Sequence, residues 1–177
     1  MRTEALNRVR LVFALFDVNG NGVLEAADFE LMADRVRDAV PGAEAAAQEA
    51  MAAAFRRYWD TLVEELDTDG DGRVDFDEYV ACVLVPERFE GAAAEFAGAL
   101  STVGDLRGDG RVGRAEFVAL MIAIGFAPAN IQALFDALGP DEEDRVASEA
   151  WDASIREYYQ PDADGTVGDL LVAAPAG

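Results

Sequence analysis

Residues 67–78 read Asp-Thr-Asp-Gly-Asp-Gly-Arg-Val-Asp-Phe-Asp-Glu and leave the backbone little choice of local shape. Asp67, Asp69 and Asp71 hold positions 1, 3 and 5, so alternate side chains send carboxylate oxygens toward one centre. Gly72 at position 6 marks a turn that needs a positive φ, which glycine adopts without a Cβ clash. Arg73 at position 7 offers its backbone carbonyl, and Asp75 at position 9 can act through a water. Glu78 at position 12 is long enough to return both oxygens to the same centre. Such an all-oxygen set suits a hard divalent cation held between two helices.

The pattern matches the EF-hand calcium loop at every ligand station. A lone helix–loop–helix unit leaves apolar helix surface uncovered, so copies are expected. Residues 17–28 are the first copy, with Asp17, Asn19 and Asn21 at positions 1, 3 and 5 and Gly22 at the turn. Asp28 at position 12 is one methylene shorter than glutamate, so two-oxygen reach is harder. Lower charge and shorter reach predict weaker discrimination between calcium and magnesium at this loop.

Residues 105–116 are a third copy. Asp105, Asp109, Gly110 and Glu116 stand in register, but Arg107 takes position 3. A guanidinium supplies no oxygen and does not shed its charge. The expectation is an empty or feeble site, with a water replacing the side chain as the alternative. A fourth copy survives in its apolar frame. Position 8 is apolar in the first three loops (Leu24, Val74, Val112), and an aromatic follows position 12 (Phe29, Tyr79, Phe117). Val146 and Trp151 repeat that spacing and set the fourth loop at residues 139–150. Positions 1, 6 and 12 are then Gly139, Asp144 and Ala150, so this hand is expected to be structural.

Apolar residues at steps of three and four predict helices on both sides of each loop. The stripes are Leu6, Val9, Phe13, Phe16; Phe29, Met32, Val36, Val40; and Met51, Phe55, Trp59, Leu62, Leu66. They continue as Phe89, Ala93, Phe96, Leu100, Val103; Phe117, Leu120, Met121, Ile124; and Ile131, Leu134, Phe135, Leu138, with Ile155 and Tyr158 last. Pro41-Gly42, Pro86, Gly125 and Pro128 punctuate the series. The loops start at 17, 67, 105 and 139, so the widest gap separates the first two hands. The expected fold is all-α, with four helix–loop–helix units in two pairs packed into one compact domain. The expected divisions are 1–85 for pair one, 86–159 for pair two and 160–177 for a tail. Asp162, Asp164 and Gly165 in that tail echo a calcium loop but lack a glutamate in register, so no fifth site is expected.

Composition narrows the function. The formal net charge of -21 repels nucleic acid and anionic lipid. All fourteen cations are arginine and histidine is absent, which excludes histidine-based triads and the commonest transition-metal ligand. The single cysteine, Cys82, lies in an apolar run and reads as a buried, inert thiol. No signal-like or membrane-length segment stands out. A cytoplasmic monomer with calcium ions as its partners, no nucleic acid, no membrane and no catalysis is expected, its protein partner unknown.

Four hands, two intact loops, a long first interhand connection and the apolar end Leu170-Leu171-Val172 resemble the sarcoplasmic calcium-binding proteins and calerythrin, and more loosely calexcitin. The resemblance implies a compact calcium buffer or signal modulator. It also implies ligation by Asp17, Asn19, Asn21, the carbonyl of Val23, and Asp28, and by Asp67, Asp69, Asp71, the carbonyl of Arg73, and Glu78. It further implies a tail folded back between the two halves. Damage to both carboxy-terminal loops departs from the calerythrin pattern. The alternative is a sensor that exposes an apolar groove to a partner. The four methionines, Met1, Met32, Met51 and Met121, are scattered rather than clustered, which favours the buffer.

Overall fold

The computed structural model describes residues 3–84, 86–160 and 165–172, with backbone only at 3, 4, 82–84 and 86–88. Cys82 and the Asp162 and Asp164 echo lie outside the described side chains. Among the described residues, eight helices run in the order α1 (Thr3–Phe16), α2 (Ala26–Ala39), α3 (Ala45–Leu66), α4 (Phe76–Leu84), α5 (Pro86–Gly104), α6 (Arg114–Ile124), α7 (Pro128–Ala137) and α8 (Ser148–Tyr158). A short 3-10 turn, Val167–Leu171, follows. The fold is all-α apart from a two-stranded antiparallel ribbon, β1 (Arg111–Gly113) with β2 (Arg145–Ala147).

Boundaries follow local chemistry. Gly125, with φ of 114°, caps α6, and Pro128 opens α7, where its missing N–H costs nothing. The long connection between the first two hands is mostly the 22-residue helix α3. Its apolar face buries Met51, Phe55, Tyr58, Leu62 and Leu66, and Trp59 stacks on Phe29 at 5.2 Å.

Nearly every apolar stripe lies in one continuous core, with Leu6, Trp59, Leu138 and Ile155 only partly covered. Phe16 and Tyr58 meet Phe96 across the two halves at 6.4 and 5.6 Å between ring centres, so α1, α3 and α5 share one aromatic cluster. The hydroxyl of Tyr58 stands 3.3 Å from that of Tyr79 and donates to that of Tyr159 at 3.4 Å, which satisfies a polar group deep in this core. No described helix is long and apolar enough to cross a membrane.

Candidate metal centres

Loops face each other in pairs through their position-8 residues. Leu24 and Val74 exchange backbone hydrogen bonds of 2.9 and 3.1 Å, an isolated antiparallel bridge. Val112 pairs with Val146 in the ribbon of β1 and β2, as Leu24 pairs with Val74. Asp144, position 6 of that loop, takes φ of 59°, the left-handed turn held elsewhere by Gly22, Gly72 and Gly110. Aspartate tolerates this conformation better than most side chains.

The first two loops share one internal skeleton. Asp67 accepts hydrogen bonds from the backbone N–H groups of Gly70, Asp71 and Gly72 at 2.7, 3.2 and 2.9 Å. Asp17 accepts those of Asn21 and Gly22 at 3.0 and 2.9 Å. Asp69 and Asn19 each accept from position 5, and Asp71 and Asn21 each accept from position 7, the N–H of Arg73 and of Val23. These bonds satisfy the loop donors and hold the side-chain oxygens inward.

Position 12 closes each loop. Glu78 accepts from the backbone N–H of Thr68 and of Asp75 at 2.9 and 3.1 Å, and from the Thr68 hydroxyl at 2.9 Å. Asp28 accepts from Asn19 and Glu25 N–H at 3.3 and 2.9 Å, so even the shorter side chain bridges its loop. Asp28 is fully buried, and this desolvation pushes its pKa above the usual aspartate value against the lowering effect of its backbone hydrogen bonds.

Carboxylate oxygens of Asp67, Asp69 and Asp71 lie within 4.8 Å of one another; Glu78 stands outside this trio. Two oxygens on one calcium ion, each at 2.3–2.6 Å, are at most roughly 5 Å apart. The trio therefore fits a hard cation by spacing as well as donor type. The first loop replaces two of those carboxylates with the amides of Asn19 and Asn21 and keeps the same backbone turns.

The third and fourth loops are wired differently. Arg107 swings outward to Glu143 at 3.3 Å, so its guanidinium lies on the surface. Arg145, buried and at position 7 of the fourth loop, crosses the ribbon and donates to Asp109, position 5 of the third, at 2.5 Å. That hydrogen bond holds the Asp109 carboxyl below its ordinary pKa. Arg111 reaches back to Asp141 at 2.8 Å. Arg114 grips both oxygens of Asp144 at 2.7 and 2.8 Å, pairs with Asp136 at 2.8 Å and stacks 4.2 Å over Phe135. The pair thus carries guanidinium groups against the carboxylates that a cation would need.

Ligation at position 7 uses only the backbone carbonyl, which leaves the side chains there free for another role. The structure gives three of them a common role: Arg73, Arg111 and Arg145 each reach a carboxylate of the facing loop, Arg73 taking Glu25 at 2.9 Å. Arginine at position 7 in three of four loops was the available signal.

A helix–loop–helix array with bridged loop pairs and an inward all-oxygen donor set defines the class, an EF-hand calcium-binding protein. Residues 6–84 match the EF-hand domain pair. Calerythrin of Saccharopolyspora erythraea is 27% identical over 163 residues, spanning 88% of this chain and 92% of that protein. A calcium-binding protein of Streptomyces coelicolor, solved as a basis for prokaryotic calcium-mediated regulation, superposes with a TM-score of 0.74 at 25% identity over 90% of this chain and 99% of that one. A sarcoplasmic calcium-binding protein from amphioxus covers 99% of this chain and 100% of its own with a TM-score of 0.68; at 18% identity it shows the fold alone.

Proposed function

We propose that this protein is a cytoplasmic calcium buffer that holds two ions per chain in its amino-terminal pair and catalyses no reaction. The single observation that carries the stoichiometry is the contrast between loop pairs: carboxylates converge in the second loop and the first repeats its internal hydrogen bonds, whereas a guanidinium of the fourth loop takes Asp109 of the third. The ligands are Asp17, Asn19, Asn21, the Val23 carbonyl and Asp28 at one site. At the other they are Asp67, Asp69, Asp71, the Arg73 carbonyl and Glu78. Residues 1–85 form the ion-binding unit, 86–159 a structural unit and 160–177 a tail. Magnesium competes chiefly at the first loop, where ligand charge is lower and position 12 is shorter.

Buffering rather than sensing is supported by the tail, whose 3-10 turn already packs on α7 and α8 and buries Leu171. The sensor reading draws on a cavity of about 50 Å³ left beside that turn. Calorimetric titration with calcium, with and without millimolar magnesium, tests the buffer. Two ions and little calcium-induced binding of an apolar dye are expected. A third ion would overturn the stoichiometry, and a large calcium-dependent rise in dye binding would favour the sensor.

A further inference from the structure

The first two loops are joined by side chains as well as by the bridge of Leu24 with Val74. Asn21, at position 5 of the first loop, has one productive orientation. Its Oδ1 accepts the N–H of Val23 at 3.0 Å, and its Nδ2 donates to Oε2 of Glu25 at 3.0 Å. Turned over, the amide would set its NH2 against an N–H and its oxygen against a carboxylate. Asp71, at the same station of the second loop, needs no such guide, because either side of a carboxylate presents oxygen. Glu25 is itself held from two directions. Its N–H donates to Asp28, at position 12, at 2.9 Å. Its Oε1 accepts from Nε of Arg73, at position 7 of the second loop, at 2.9 Å. The N–H of Arg73 in turn donates to Asp71 at 2.8 Å. A continuous path therefore runs from Asp71 through Arg73 and Glu25 to Asn21. Position 9 has different work in the second loop, where Asp75 accepts the N–H of Glu78 at 2.9 Å and so caps α4.

We propose that Glu25 is a positioning residue of the first ion site and that Arg73 couples it to the second, so that an ion in one loop tightens the other; this rests on the two-ion reading above. An asparagine at position 5 ligates a hard cation only through its oxygen. Glu25 supplies the acceptor that turns the nitrogen away. Both of its carboxylate oxygens are then engaged, one by Asn21 and one by Arg73. An ion in the second loop draws in the Asp71 carboxylate and the Arg73 carbonyl. That fixes the backbone from which the guanidinium extends, and so favours the Glu25 rotamer that holds Asn21. By linkage, an ion in the first loop favours the second by the same factor. Position 7 of the first loop is Val23, which has no charge to return. Arg73 is more than half exposed, so the coupling is modest, roughly two- to fivefold.

The test is a calorimetric calcium titration of the full chain from its metal-free state, with the Asn21 side-chain amide followed by NMR. None of the three side chains is buried, so their variants leave the core intact. Arg73→Met keeps the position-7 carbonyl. It should still bind two ions, with the ratio of the second to the first stepwise constant reduced roughly two- to fivefold. Two ions with an unchanged ratio would overturn the coupling, whereas a stoichiometry other than two in the unaltered chain would overturn the two-ion reading instead. Glu25→Ala lowers the fraction of Asn21 in its productive orientation and should weaken the first site roughly fivefold. Beside Asn21→Asp, whose carboxylate needs no orienting, the same change should cost at most about twofold. An equal loss in both backgrounds would make Glu25 a ligand or a plain charge and overturn its positioning role. One readout needs no ion at all. In chelator, the Asn21 Nδ2 proton resonances should move upfield in Glu25→Ala as their hydrogen bond to a carboxylate is lost, and unmoved resonances would overturn the proposal.

Discussion

At the scale of single residues, two arginines bear on the third loop. Arg107 removes the oxygen at position 3, yet its side chain leaves the loop for Glu143. Arg145 is the deeper obstacle because it holds Asp109, the position-5 carboxylate. Replacing position 3 alone therefore leaves one donor engaged by a cation. Arg107→Asp by itself should add at most a feeble third site in a calorimetric titration, whereas Arg107→Asp with Arg145→Met should add a distinct one. Equal behaviour of the two variants would show that Arg145 is no barrier. At the second loop, Glu78→Gln removes the charged ligand that closes the loop and should weaken that site by tenfold or more, about 1.4 kcal/mol per decade. At the first loop, Asp28→Glu supplies the missing methylene. Its calcium-to-magnesium selectivity, measured by competition, should rise; unchanged selectivity would mean that loop flexibility rather than ligand reach sets the preference.

At the scale of elements, the helices were the most legible part of the chain because burial imposes a 3.6-residue period on them. The apolar frame also placed the fourth loop, since position 8 must pair across the loops whatever happens to the ligands; Val146 meets Val112 as that rule requires. The cross-loop arginines were legible only as a recurrence at position 7, because the partner of each is set by how two loops face each other in space. The same wiring explains why Asp144 replaces a glycine at a left-handed turn: its carboxylate is held by Arg114 on α6. That hydrogen bond depresses the Asp144 pKa in the folded state. The stabilisation it gives is therefore complete above the unfolded aspartate value of roughly 3.9 and is lost as pH falls through it toward the lower folded value. Asp144→Asn tolerates the turn but loses the ion pair. Its deficit in melting temperature should be present at neutral pH and shrink below about pH 3. A deficit that does not change with pH would assign the effect to the backbone.

At the scale of the whole molecule, the two pairs differ in what neutralises them. Between the first two loops, Arg73 of the second reaches Glu25 of the first. Between the third and fourth, Arg107, Arg111, Arg114 and Arg145 each take a carboxylate of the facing loop or of α7. Exposed ion pairs contribute little singly, and these gain by acting as a network around one ribbon. Removing calcium should therefore act unequally. The amino-terminal loops would be left with clustered like charges, Asp67, Asp69 and Asp71 among them, whereas the carboxy-terminal loops keep their arginine pairs. The shared aromatic cluster of Phe16, Tyr58 and Phe96 ties the pairs together, so part of the loss must spread through α1 and α3 to α5. Hydrogen exchange with calcium and with chelator should show the largest loss of protection at the bridge of Leu24 with Val74 and little change at Val112 and Val146. The melting temperature should fall as chelator is added, because an ion that binds only the folded chain stabilises it by mass action. Equal loss of protection at both loop pairs would show that the arginines do not substitute for an ion and that the molecule responds to calcium as one cooperative unit.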